Sequence, residues 1–229
     1  MDVDAIIYAL SVWTIPVLIA VTLHEAAHGW AAWRLGDDTA KVLGRVSFNP
    51  LKHVHPVGTV LLPAMLLLVS GGRVMFGFAK PVPVNVARLT NPRRGMVLVA
   101  AAGPGMNLLL AILSALALHA VAPLPADWQE WVAVNLQNMV WLNVLLAVFN
   151  MLPIPPLDGG RVAVGLLPLG PAMKLAKLER SGIFIVLGLM FLAPMLGRQL
   201  GLDLDVFYWL VGLPTAHIVD LIATVTGLK

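Results

Sequence analysis

The chain has no cysteine. That excludes a disulfide framework and any thiolate metal site, so a bound metal has to take nitrogen and oxygen ligands. Charge is scarce as well. Asp, Glu, Lys and Arg make up 12% of the 229 residues, against about 25% in an average soluble domain. With 59% hydrophobic residues and a mean hydropathy of +0.87, the composition argues against a soluble globular protein and for a polytopic membrane protein. Acids are fewer than bases, 12 against 15, which accounts for the basic isoelectric point. The bases are spread over loops rather than gathered in a patch, so no nucleic-acid partner is expected. Met1-Asp2-Val3-Asp4 lacks the basic region of a cleaved leader, and the first apolar segment is expected to remain as a span. There is no internal repeat, low-complexity tract or heptad series.

Against this background His24-Glu25-Ala26-Ala27-His28 stands out. No charged side chain occurs from Ala5 to Leu23, a stretch long enough to carry a helix across most of a bilayer. Histidines at i and i+4 lie one above the other on a helix, where neutral imidazoles can chelate zinc and the glutamate between them can act as general base toward water on the metal. Ionisable residues inside a span mark function by default. A catalytic zinc needs a third protein ligand. Asp158 is the leading candidate, at the end of Asn150-Met151-Leu152-Pro153-Ile154-Pro155-Pro156-Leu157-Asp158-Gly159-Gly160, where three prolines break the helix and two glycines let backbone approach closely. One zinc per chain is expected.

Six apolar segments occur, at roughly 5–33, 57–70, 95–121, 132–152, 182–197 and 206–226. Asp2 and Asp4 precede the first, and Arg34, Lys41, Arg45 and Lys52 follow it, so it is expected to run from outside to cytoplasm. The same rule takes the third segment out from Arg93 and Arg94 and the fourth back to Arg161, Lys174, Lys177 and Arg180. His24 and Asp158 then meet at one depth, toward the cytoplasm. Bases flank residues 56–92 on both sides, so that stretch has to enter and return. Val57–Ser70 is short for a span, and Lys80-Pro81-Val82-Pro83-Val84-Asn85 reads as extended backbone. A re-entrant hairpin beside the active site is expected, because irregular backbone at membrane depth has to be buried in protein or line a cavity. A complete additional span is the alternative. The fold class expected is an all-α polytopic membrane protein with about five to six transmembrane segments and a short re-entrant helix or β-hairpin. It forms one integral-membrane domain over 1–229, with a catalytic core at about 5–165 and C-terminal helices at about 178–229.

The histidine motif, Gly103-Pro104-Gly105-Met106-Asn107 and Asn150 through Gly160 together resemble the site-2 protease family of intramembrane zinc metalloproteases. Asn49-Pro50-Leu51-Lys52 and Phe78-Ala79-Lys80-Pro81-Val82-Pro83-Val84-Asn85 resemble its small prokaryotic branch. The resemblance spans about residues 13–165. It implies cleavage within or beside the transmembrane helix of a membrane protein, often to release a regulator, and a location in a prokaryotic inner membrane. It makes His24, His28 and Asp158 zinc ligands, Glu25 the base, and Asn107 a residue that binds substrate or stabilises the oxyanion. Val82, Val84 and Asn85 are expected to pair with unwound substrate as an added strand, and Asn150 to contact it. The short loop between the third and fourth segments leaves no room for a PDZ domain, and no nucleotide-binding domain follows the sixth. The partners implied are transmembrane protein substrates and the bilayer; oligomeric state is not legible. His53 and His55 read as interfacial polar residues, His119 and His217 as structural, and Trp128, Trp131 and Trp209 as an outer aromatic belt. The competing reading is a non-proteolytic metal-binding protein or ion transporter.

Overall fold

The computed structural model describes residues 3–53, 56–61, 65, 80–202 and 204–229. Seven helices carry the architecture: α1 (Val3–Arg34), α2 (Pro92–Leu118), α3 (Ala126–Asn150), α4 (Asp158–Leu166), α5 (Leu169–Ala176), α6 (Gly182–Leu200) and α7 (Tyr208–Val225). Five of them, α1, α2, α3, α6 and α7, are long and apolar enough to cross a membrane. This is an all-α polytopic membrane fold, as the apolar pattern implies. In their apolar stretches, about a third of α2 and α3 and 28% of α1 is buried within the protein, against 11% and 17% for α6 and α7. The first three spans therefore form the core, and the last two lie at its edge. The side chains left exposed on the spans, such as Leu10, Leu18, Leu109, Leu113, Phe184 and Leu221, are apolar, as a lipid-facing surface requires.

Local chemistry explains how the core helices persist and end. Pro16 lies inside α1 and cannot donate a backbone hydrogen bond, which orphans the carbonyl four residues earlier. That carbonyl, of Val12, accepts instead from Asn138 Nδ2 of α3 at 3.0 Å, the kind of rescue a membrane span demands. α1 closes on Gly36, whose φ of +107° turns the chain so that the Asp37 amide returns to the Ala32 carbonyl. α2 begins with Asn91, whose side chain accepts from the Arg94 amide, followed by Pro92.

Small residues let the helices approach. At one end of the core Ala111 and Ala115 of α2 pack on Val140 and Val144 of α3 and Ile222 of α7. At the other, Ala31 and Ala32 of α1 pack on Leu89 and Val99, joined by Val84. Such close packing of small residues is how membrane helices associate where no hydrophobic drive exists between them.

Two expectations need correction in detail. α2 begins at Pro92 rather than near 95, and α3 at Ala126 rather than 132. Each helix extends past its apolar run into charged or polar turns where water meets the bilayer. The expected hairpin falls largely outside the described residues. What is described of it is a helical piece at Pro56–Leu61 and the run Lys80–Asn85, which is extended but paired with no strand among the described residues.

Candidate metal centre

His24 and His28 lie one turn apart on α1, and both are buried. Their rings sit 4.6 Å apart and nearly perpendicular. Asp158, the first residue of α4, reaches them from the opposite side. His24 Nε2 and His28 Nε2 are 3.0 Å apart, and Asp158 Oδ2 lies 3.3 and 3.4 Å from them. A tetrahedral shell with bonds of about 2.0–2.2 Å places its donor atoms about 3.3–3.5 Å apart. The three atoms thus form one face of such a shell.

The far nitrogens strengthen this reading. His24 Nδ1 is 2.5 Å from Asn107 Oδ1, and His28 Nδ1 is 2.7 Å from the Val99 carbonyl. Both partners can only accept, so each Nδ1 carries the proton. In the neutral rings each Nε2 is then a bare lone pair, and both point at a carboxylate. Three acceptors directed at one point repel one another unless a cation sits between them. Metal-ligating histidines ordinarily pass their other N–H to such an outer acceptor. The residues fit zinc.

Glycine makes the arrangement possible. A methyl at Gly103 of α2 would collide with His28 Nε2 and come within 2.6 Å of His24 Cε1. Methyls at Gly159 and Gly160 would strike the backbone of Met151 and of Pro155. Those two glycines let the proline turn fold over the start of α4 and aim Asp158 inward.

A cavity of about 150 Å³ opens on this centre, lined among others by Glu25, Val82, Val84, Asn150, Asp158 and Arg161. Glu25 is not in the converging set; its Oε2 accepts from the Val82 backbone amide at 2.8 Å. Asn150 donates to the Leu146 carbonyl of its own helix and faces the cavity.

Two expected site residues sit elsewhere. Asn107 is fully buried behind His24, not beside the cavity. Its Oδ1 meets His24, and its Nδ2 donates to Asn143 Oδ1 at 2.7 Å. Its donor is spent inside the bundle, so the geometry gives it the orientation of His24 rather than an oxyanion contact. Asn85 is exposed, and its side chain caps the short turn Val86–Arg88. Its backbone amide donates to Asp37 Oδ2 at 2.6 Å.

Asp37 was not singled out by the sequence. It is fully buried and also accepts from the Thr39 amide and hydroxyl. Burial pushes its carboxyl up, but these hydrogen bonds outweigh that and hold it below the ordinary carboxylate range. Arg45 was missed too; its guanidinium donates to the Lys80 carbonyl at 2.6 Å. A loop acid and a loop base carry no periodic signal, and only the tertiary contact reveals them. His53 is almost wholly buried and bonds the Ser47 carbonyl, not the metal centre. His119 and His217 bond backbone carbonyls. His55 lies outside the described residues.

The family model described as "Peptidase family M50" matches residues 12–126 and 126–193. A Bacillus subtilis protein named "Putative zinc metalloprotease YwhC" is 38% identical over 189 residues, 79% of this chain and 80% of that one. One from Mycobacterium tuberculosis H37Rv, "Putative zinc metalloprotease Rip2", is 34% identical over 196 residues, 86% of this chain and 71% of its own length. The Mycolicibacterium smegmatis protein of the same name is 32% identical over 193 residues, 84% and 70% of the two chains. No solved structure matches.

Proposed function

We infer the reaction from one premise, that the chain belongs to peptidase family M50 and is a site-2-type zinc metalloprotease of the membrane. We propose that it cleaves a peptide bond in or next to the transmembrane helix of a membrane protein substrate, in regulated intramembrane proteolysis. One observation carries this reading: the convergence of His24, His28 and Asp158 on a cavity that Glu25 also lines. His24 lies 17 residues into the span that starts at Ile7, about 25 Å along the helix axis. That depth is within reach of a membrane-embedded peptide.

The chain's residues divide the work. His24, His28 and Asp158 hold the metal, with Asn107 and the Val99 carbonyl fixing the two rings. Zinc bound there supplies a Lewis acid for the scissile carbonyl and an acidified water. Glu25 takes the proton from the attacking water and returns it to the leaving amine. The substrate has to be extended at the cut, because helical hydrogen bonds shield the carbonyl. Val82 and Val84 offer backbone against which an unwound segment can lie as an added strand, and Asn150 faces the same space.

The bias of Lys and Arg supports an active site toward the cytoplasm, and the likeness to bacterial relatives supports a prokaryotic inner membrane. A single cysteine placed at Lys174, in a chain that has none of its own, should be labelled only from the cytoplasmic side; labelling from outside would invert the topology. The reaction is tested with Glu25→Gln. Purified in detergent with a single-span substrate, this form should keep its zinc and lose about 10²–10⁴-fold in rate, the contribution of a general base. Activity near that of the unaltered enzyme would place the base elsewhere.

A further inference from the structure

The backbone donors from Lys80 to Asn85 are accounted for one by one. The Lys80 amide donates to the His53 carbonyl at 2.9 Å, the Val82 amide to Glu25, and the Asn85 amide to Asp37. Pro81 and Pro83 have no N–H. Val84 is left as the one donor in the run without a partner among the described residues.

The run is also held on both sides of Val82. Arg45 grips the Lys80 carbonyl before it, and buried Asp37 grips the Asn85 amide after it. The Val82 side chain is buried against Gly29, four residues on from Glu25, where an added methyl would come within 3.2 Å of Val82 Cγ1. Val84 packs with the Ala31, Ala32 and Val99 cluster. In extended chain, alternate residues share a direction. Val82 and Val84 therefore present their amides along one edge. Pro81 and Pro83 blank the other edge, and the whole run from Pro81 to Val84 lines a wider groove of about 770 Å³ that reaches α4 and α5.

We propose that the Val82 amide is a positioning group for the base. The run that receives the substrate strand also sets Glu25, so capture at Val84 and proton transfer at Glu25 are tied through two amides on one edge. This rests on the strand-pairing reading above and adds to it a division of labour. Val84 governs binding and Val82 governs turnover. The neighbouring amide assigns the register: a substrate strand bonded to Val84 passes Glu25 within one residue pair.

The test deletes single N–H groups in the full-length enzyme by replacing Val82 or Val84 with α-hydroxyvaline, which keeps the side chain and turns the amide into an ester. At 82 we expect kcat to fall about 10–100-fold, the weight of a hydrogen bond to a charged group, with KM and zinc content unchanged. At 84 we expect KM to rise while kcat holds. Unaltered kcat at 82, loss of zinc at 82, or the same parameter moving in both variants would overturn the proposal. Hydrogen exchange reads it without substituting the backbone, since Pro81–Val84 contains only two exchangeable amides. Glu25→Ala should deprotect Val82, and Val84 should gain protection only when the Glu25→Gln form holds a substrate peptide. A Val82 amide equally protected with and without Glu25 would also sink the idea. Failure of the protease reading itself looks different: the unaltered enzyme, loaded with zinc, would cut no single-span substrate.

Discussion

The two ends of the α1–α3 bundle are built from the same three helices and held together by different physics. At the metal end an apolar cluster surrounds a chain of buried polar pairs: His24 with Asn107, Asn107 with Asn143, and His28 with the Val99 carbonyl. At the far end Ala111, Ala115, Val140, Val144 and Ile222 meet only by shape. A buried polar network leaves each member little freedom, because an unpaired group in a dry interior is costly. A contact of alanine on valine tolerates small shifts. The bundle is thus most constrained where the ligands sit, while the rest holds the helices at the right spacing.

Three substitutions test that contrast. The largest effect is expected from Gly103→Ala. Its methyl group falls on the two imidazoles, and the purified protein should lose its zinc and its activity together; full zinc by metal analysis would mean that α2 can retreat and that the end is less rigid than it looks. Next comes Asn107→Ala, which leaves His24 Nδ1 without its acceptor. Zinc affinity should weaken about 10–100-fold, as for other outer-shell partners, read by competition with a chelator. Unchanged affinity would show that packing alone holds the ring. The smallest functional effect belongs to the far end. Ala115→Leu overfills a buried contact and should lower stability by about 1–3 kcal/mol, seen as a reduced unfolding temperature, with zinc and turnover intact. Lost zinc in that variant would show the two ends to be coupled and would dissolve the distinction.

The membrane class, five of the spans and the three residues that converge were legible along the chain. Each of these follows from a signal carried along the chain. Apolar length sets a span, and an i, i+4 pair sets a helical face. An acid beside prolines and glycines at a span end becomes a ligand candidate once the histidine pair calls for a third donor. Asn107 was legible as important but not in its role, since an amide in a span reads alike whether it faces a substrate or the back of a histidine. Asn85 was assigned to the strand that receives substrate, but its backbone amide is taken by Asp37 and its side chain by the Ala87 amide. The tertiary structure alone decided that Gly103 makes room for the rings, that Asp37 and Arg45 pin the extended run, and that the Val82 amide reaches Glu25. These are contacts between residues 35 to 79 positions apart. No local periodicity encodes them, because a hydrogen bond across that distance depends on where the helices finally pack.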